Sequence, residues 1–255
     1  MENHEGLVPH RQVWGDKVRG SWWKAIVIFA LYVILLILFQ GVVMRIGGGI
    51  TGEIPKVEDG LGLDYFVKNI QAAQWWYHLS NFVLIIILLS VTKLWKMKFF
   101  DLGHIRGKYL WWTFGIYIGM YAVQWIYSFL IPYIAPDYVT TSNQELVNDL
   151  FMGMHWLGSF INIVIITPIL EELLVRGLIM KYIFPLTPFI GFLASTLIFT
   201  FLHSPSNIID FSVYFIMAIS ISYVYWRTRR LEYPILFHML NNGMAFLSMM
   251  IMSNN

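Results

Sequence analysis

The stretch WWKAIVIFALYVILLILFQGVVM, residues 22–44, decides the fold class. Its only charged residue is Lys24. A transmembrane helix needs about 20 mostly apolar residues to cross the hydrocarbon core of a bilayer, and this stretch is long enough. Six further runs have a similar character: 75–92, 110–135, 155–180, 187–203, 208–226 and 234–252. The sequence therefore predicts an all-α, polytopic transmembrane helical bundle of about seven spans, with an eighth span or a re-entrant segment as the alternative.

The composition of the chain agrees with this interpretation. Hydrophobic residues make up 58% of the 255 residues and charged residues only 13%, about half the charged share of a typical soluble domain. The net charge of +2 is too small to indicate a nucleic-acid partner, so the bilayer is the expected environment. The absence of cysteine excludes disulfides, thiolate metal sites and a cysteine nucleophile.

The positions of the basic residues predict the orientation. With the N-terminus inside, all of the 17 Lys and Arg residues except Arg45, Lys56 and Lys68 fall on the inner side, as the positive-inside rule requires. Residues 1–21 are then a cytoplasmic N-terminal segment and residues 22–255 a single multi-pass membrane domain. Between spans, 61–72 is predicted to be a short interfacial helix and 136–150 a loop.

The segment PILEELLVRG, residues 168–177, places charges inside the fourth run. Ionisable groups within a span cost roughly 2.5–3.5 kcal/mol each on insertion scales, so those present are functional candidates. Glu172 and Arg176 are four residues apart and can pair on one helix face. Glu171 points about 100° away and has no partner in its own helix, which suits proton transfer. The alternative is that both glutamates only pair with basic groups of neighbouring helices.

Two further segments carry polar residues in apolar runs, FTFLH at 199–203 and HMLNN at 238–242. His203 is either functional or a hydrogen-bonded residue at a span end, and Phe199 is predicted to pack. His238 and Asn242 lie on one helix face, so both can donate to one oxygen, as an oxyanion hole requires. A polar contact between helices is the competing interpretation. The remaining polar residues are expected to be structural or interfacial: His78, Asn81, Gln124, His155, Asn162 and Asp210. Asn162 is also expected to support its helix by a hydrogen bond.

These groups admit two mechanisms. In one, Glu171 and His203 activate a water for attack on a peptide carbonyl while His238 and Asn242 stabilise the oxyanion. In the other, Glu171, His203 and His238 bind zinc with an open position for water. The sequence contains no His-Glu-x-x-His motif, which weakens the zinc mechanism.

The pattern Glu-Glu-x-x-x-Arg at 171–176, Phe-x-x-x-His at 199–203 and His-x-x-x-Asn at 238–242 resembles the three motifs of the CPBP (Abi) intramembrane proteases. The resemblance covers roughly 150–245. It implies a glutamate-type endopeptidase of a bacterial cell membrane that needs no cofactor, with zinc as the alternative. It also implies that the substrate is a membrane-associated peptide or a lipidated protein.

Carried over by position, the resemblance gives Glu171, His203, His238 and Asn242 the catalytic roles. Three residues would support them: Glu172, Arg176 and Phe199. The competing hypothesis is a catalytically silent scaffold or bacteriocin-immunity protein that binds a partner membrane protein through the same pocket.

One point conflicts with straight spans. Glu171 would lie towards the inner side, His203 near the outer end of a short fifth run, and His238 near the inner end of its run. Either a kinked or re-entrant segment brings these residues to one depth, or a polar cavity cuts deep into the bilayer.

Overall fold

A computed structural model of the chain describes residues 21–52 and 63–253. The predicted cytoplasmic segment 1–21 lies outside the described residues, except for Ser21, and Lys56 also lies outside them. Within the described ranges there is no strand, and all seven predicted apolar runs are helical. The helices are α1 (Trp22–Thr51), α2 (Leu63–Ala72), α3 (Gln74–Leu94), α4 (Gly107–Ile134), α5 (Ser142–Met152), α6 (156–183), α7 (Pro188–Leu202), α8 (Ile208–Thr228) and α9 (Glu232–Ser253).

Five of these helices, namely α1, α3, α4, α8 and α9, are long and apolar enough to cross a membrane. Helices α1 and α4 bury only 11% and 6% of their most apolar windows. Their exposed side chains are large and apolar, for example Ile37 on α1 and Trp125 on α4. Such surfaces are stable against lipid and not against water. The chain is therefore a multi-pass membrane protein.

Helix α6 lies at the centre of the bundle and is not a regular α-helix. Ile161–Ile166 and Leu173–Ile183 are π-helical, and Thr167–Glu172 between them is α-helical. Nine of the eleven residues of the second π segment are buried. Pro168 lies in the α-helical part between the two π segments, where it cannot donate a backbone hydrogen bond and its ring disturbs the preceding turn.

Helix α7 is shorter than a full span, which bears on the expected difference in depth between His203 and the other site residues. It has 15 residues, which rise about 22 Å against a hydrocarbon core of about 30 Å. His203 directly follows the end of this helix and lines the same cavity as Glu171 and His238. A short helix and a polar cavity together bring the predicted residues close to one another.

The predicted loop 136–150 contains a helix, α5, and this expectation was wrong. Thr141 caps α5, since its side chain accepts a hydrogen bond from the Gln144 N–H at 3.2 Å. The opposite face of α5 packs Phe151 against Phe246 of α9, with ring centroids 5.2 Å apart. The cap and the apolar face together are enough to form a short helix.

Asp210, at the start of α8, ties α5 to the bundle. Its buried carboxylate accepts hydrogen bonds from the Tyr138 hydroxyl at 2.8 Å, the Ser142 hydroxyl at 2.6 Å and the Ser206 hydroxyl at 2.9 Å. The predicted structural role of Asp210 is therefore confirmed. These contacts hold α5 over the end of the bundle where α8 begins.

Candidate active site

A cavity of about 260 Å³ lies among α6, α7, α8 and α9, with α3 and α5 at its border. Glu171, His203, His238 and Asn242 all line it. Four residues that the sequence placed on three separate runs therefore surround one space. Glu172, Arg176 and Phe199 are fully buried behind them and do not line the cavity.

Glu171 presents a carboxylate to this cavity. Its Oε2 atom is buried and has no hydrogen-bond partner among the described residues. The same oxygen lies 3.8 Å from His238 Nε2, too far for a hydrogen bond but close enough for electrostatic attraction. The carboxylate also interacts electrostatically with His203. A buried acceptor with free lone pairs is the type of group that can take a proton from a water molecule.

Glu172 and Arg176 form the ion pair that their spacing predicted. Arg176 Nη1 lies 3.0 Å from Glu172 Oε1, and both side chains are fully buried. The sequence did not indicate that His238 Nδ1 also lies 3.0 Å from the same oxygen. Because a carboxylate only accepts, Nδ1 of His238 is the donor. Glu172 thus fixes the orientation of the ring and turns Nε2 towards Glu171.

Phe199 connects the buried cation to both histidines. The guanidinium carbon of Arg176 lies 4.3 Å from the centre of the Phe199 ring, a cation–π contact. The same ring has its centroid 4.6 Å from that of His203 and 5.4 Å from that of His238. Phe199 packs, as predicted, and its ring contacts both histidine rings.

His203 is held by its own helix end and by α8. Its Nδ1 lies 2.9 Å from the backbone oxygen of Phe199, which can only accept. The neutral ring therefore carries its hydrogen on Nδ1 and a lone pair on Nε2. Tyr214 stacks on this ring with centroids 4.4 Å apart. Sequence reasoning missed Tyr214, because nothing along the chain links a tyrosine on α8 to the end of α7.

Asn242 is anchored on one side. Its Nδ2 donates to the backbone oxygen of Ile163 in α6 at 2.9 Å. An amide nitrogen has two hydrogens, so one remains for the cavity. The Asn242 Oδ1 atom accepts from Asn241 Nδ2 at 3.5 Å. His238 therefore keeps Nε2 for a ligand, and Asn242 keeps the second hydrogen of Nδ2.

A second polar group borders the same cavity near the start of α6. Asn162 donates to the Gly158 carbonyl at 3.1 Å and to His78 Nδ1, and it accepts from Asn81 Nδ2 at 3.0 Å. The predicted supporting hydrogen bond of Asn162 is therefore confirmed. The hydrogen bonds of Asn162 with His78 and Asn81 connect α6 to α3, a contact between helices that the sequence did not specify.

The zinc hypothesis has no further support in the geometry. In the part of the chain that the structure describes, no three His, Asp or Glu side chains are grouped as metal ligands. Nδ1 of His203 and Nδ1 of His238 are both engaged by protein oxygens. A zinc ion would have to bind through the Nε2 atoms of both rings and the Glu171 carboxylate. This metal set stays a prediction.

The fold and the site define a class, a multi-pass helical membrane protein with a buried glutamate and two histidines around a cavity. Comparison with known proteins adds a family match over part of the chain. Residues 153–244 match the family described as Type II CAAX prenyl endopeptidase Rce1-like. The resemblance seen in the three motifs is thereby confirmed for this segment, which contains the seven site residues.

One curated relative is UPF0177 protein YajF of Lactococcus lactis subsp. lactis, 33% identical over 85 residues. The match spans 33% of this chain and 41% of that relative, so it covers less than half of either protein. No solved structure gives a significant match.

Proposed function

We propose that this protein is an intramembrane endopeptidase that hydrolyses a peptide bond in a membrane-associated peptide or a lipidated CAAX-type protein. One observation carries the proposal: a buried Glu171 oxygen without a hydrogen-bond partner among the described residues faces His238 in a cavity that His203 and Asn242 also line. The Rce1-like match over the same segment supports the CAAX substrate class. The bacterial relative supports a bacterial cell membrane as the location.

In the proposed reaction, Glu171 is the general base. It takes a proton from a water molecule that the Nε2 lone pair of His203 helps to orient. The oxygen of that water bonds to the peptide carbonyl carbon, and the carbonyl electron pair moves to its oxygen. The C–N bond then breaks while protonated Glu171 returns the proton to the leaving amine. The bond is cleaved and Glu171 is restored.

Two donors stabilise the oxyanion in this proposal, the free N–H of Asn242 and the Nε2–H of His238. His238 donates from Nε2 while Nδ1 donates to Glu172, which requires the doubly protonated ring. The Glu171 and Glu172 carboxylates lie 3.8 Å from Nε2 and 3.0 Å from Nδ1 of this ring. Arg176 balances the charge of Glu172 from the other side.

The first test is cleavage by purified protein in detergent. The probe is a fluorophore–quencher peptide that ends in farnesyl-cysteine, two aliphatic residues and methionine, within a panel that includes non-lipidated membrane-tethered peptides. Glu171→Gln and His238→Ala are each expected to lower kcat by about 10²–10⁴-fold, the range for loss of a general base or an oxyanion donor. The matched control is Asp137→Asn, an exposed carboxylate outside the spans, which should leave kcat unchanged.

The same assay separates the alternatives. Activity that a chelator abolishes and zinc restores would replace the proposed mechanism by the zinc mechanism, with Glu171, His203 and His238 as ligands. If Glu171→Gln keeps both the activity and the cellular phenotype of the wild type, the protein is instead a scaffold or immunity protein that binds a partner membrane protein.

A further inference from the structure

The hydrogen-bond series of α6 is interrupted just before the two glutamates. In the first π segment the N–H of Thr167 bonds to the oxygen of Asn162, five residues earlier. The next donor in this series would be residue 168 and its acceptor the Ile163 oxygen. Residue 168 is a buried proline, which has no N–H. The backbone series of α6 therefore leaves the Ile163 oxygen to another donor.

That donor is Asn242. Its Nδ2 lies 2.9 Å from the Ile163 oxygen and belongs to α9, 79 residues further along the chain. Both residues line the cavity. In a regular α-helix the ring of Pro168 would also clash with the Val164 carbonyl, four residues earlier, which keeps this turn wide. A buried carbonyl needs a donor, and the asparagine side chain satisfies it.

We propose that Pro168 is a positioning residue: it leaves the Ile163 carbonyl to the Asn242 amide, which fixes the direction of the second N–H of Asn242 in the cavity. The inference rests on the proposed function, in which that N–H stabilises the oxyanion. It adds a residue outside the three motifs and a backbone atom that the motifs do not contain. Pro168 itself touches neither the substrate nor the reacting atoms.

The test uses the farnesylated peptide probe and three forms of residue 168. Pro168→Ala adds an N–H that competes for the Ile163 oxygen and lets the turn tighten. It is expected to lower kcat by about tenfold to a hundredfold with KM within about twofold, because a misplaced donor weakens the transition state and not ground-state binding. An ester analogue of this variant, with oxygen in place of the residue-168 nitrogen, removes the N–H again and should recover most of the lost kcat.

Two controls make the result specific. In an Asn242→Ala background, Pro168→Ala is expected to have no further effect on kcat, since the residue through which it acts is gone. Pro132→Ala changes a lipid-exposed proline inside α4 and should leave kcat unchanged. Equal losses from Pro168→Ala in both backgrounds, or an ester analogue as impaired as the alanine variant, would overturn the inference while leaving the proposed function in place.

The inference is also testable without cleavage. If the wild-type protein hydrolyses no peptide of the panel, the proposed function fails for those substrates, and the contact is judged by thermal unfolding in detergent. Pro168→Ala and Asn242→Ala should then lower Tm by less together than the sum of their separate effects. Additive shifts of Tm would show that the proline does not act on Asn242.

Discussion

Helices α4 and α6 both contain 28 residues, yet they lie in different surroundings. Only Thr113, Tyr117 and Met120 of α4 are buried, and most of its large apolar side chains are exposed. Helix α6 buries most of its second half, including the charged pair Glu172 and Arg176. The first helix faces lipid, and the second holds charges away from lipid.

The two helices also differ in the regularity of their backbones. Helix α4 is α-helical throughout, although Pro132 near its end donates no backbone hydrogen bond. A regular helix satisfies nearly all of its backbone groups internally within the bilayer. Helix α6 alternates between α and π turns, and the Ile163 carbonyl bonds to a side chain of another helix. Irregular backbone at membrane depth is tolerated where it is enclosed by protein or lines a cavity. The site is therefore built at the position where α6 departs from regularity.

The strongest test of this contrast is Arg176→Met. It leaves Glu172 buried without its cation, and we expect the free energy of unfolding to fall by about 3–5 kcal/mol. Unfolding in mixed detergent micelles measures the change. The double variant Arg176→Met with Glu172→Gln should be more stable than the single variant, because the uncompensated charge is removed. Equal stability of Arg176→Met and the wild type would contradict the central role of this pair.

A smaller effect is expected from a pair of glycine substitutions. A Cβ built at Gly158 of α6 would overlap the His78 ring, so Gly158→Ala should cost about 1–3 kcal/mol of unfolding free energy. Gly119 on α4 has open space around it, and Gly119→Ala should stabilise by up to about 1 kcal/mol through helix propensity. The same unfolding assay compares them. A loss of stability at both positions would mean that α4 is packed against a surface that the isolated chain does not show.

The smallest effect is expected on the lipid face. Phe129 of α4 is 57% exposed and pairs with Trp125 at a centroid distance of 4.7 Å. Phe129→Leu keeps an apolar side chain against lipid, so the free energy of unfolding in bicelles should change by less than about 0.5 kcal/mol. A change above about 1 kcal/mol would show that this face of α4 is not simply solvated by lipid.

The sequence was sufficient for the elements that depend on local pattern. Length and apolar composition predicted all seven apolar helices, and the i, i+4 spacing predicted the contact between Glu172 and Arg176. Helix α5 was missed, although Thr141 and Gln144 have the spacing of a capping box that could have indicated it. Its polar first turn has the composition of a loop, and that composition decided the prediction.

The contacts between helices could not be predicted from the sequence. His238 and Glu172 are 66 residues apart, and their hydrogen bond depends on how α6 and α9 rotate against each other. The stacking of Tyr214 on His203 depends in the same way on α8. Pro168 indicated a disturbed turn. However, neither the π geometry nor the hydrogen bond from Asn242 to the Ile163 oxygen follows from a proline alone. The sequence located the reactive groups and left their hydrogen-bond partners undetermined.

The shortness of α7 has a consequence for the surrounding bilayer. Its exposed apolar side chains are Ile190, Leu193, Leu197 and Phe201. The whole helix is about 22 Å long. Lipid chains of ordinary length exceed this height by about 8 Å, and such a mismatch is relieved by thinning of the adjacent leaflets. We therefore expect the bilayer to be thinner beside α7 than beside α1 or α4, where the apolar helices are 30 and 28 residues long.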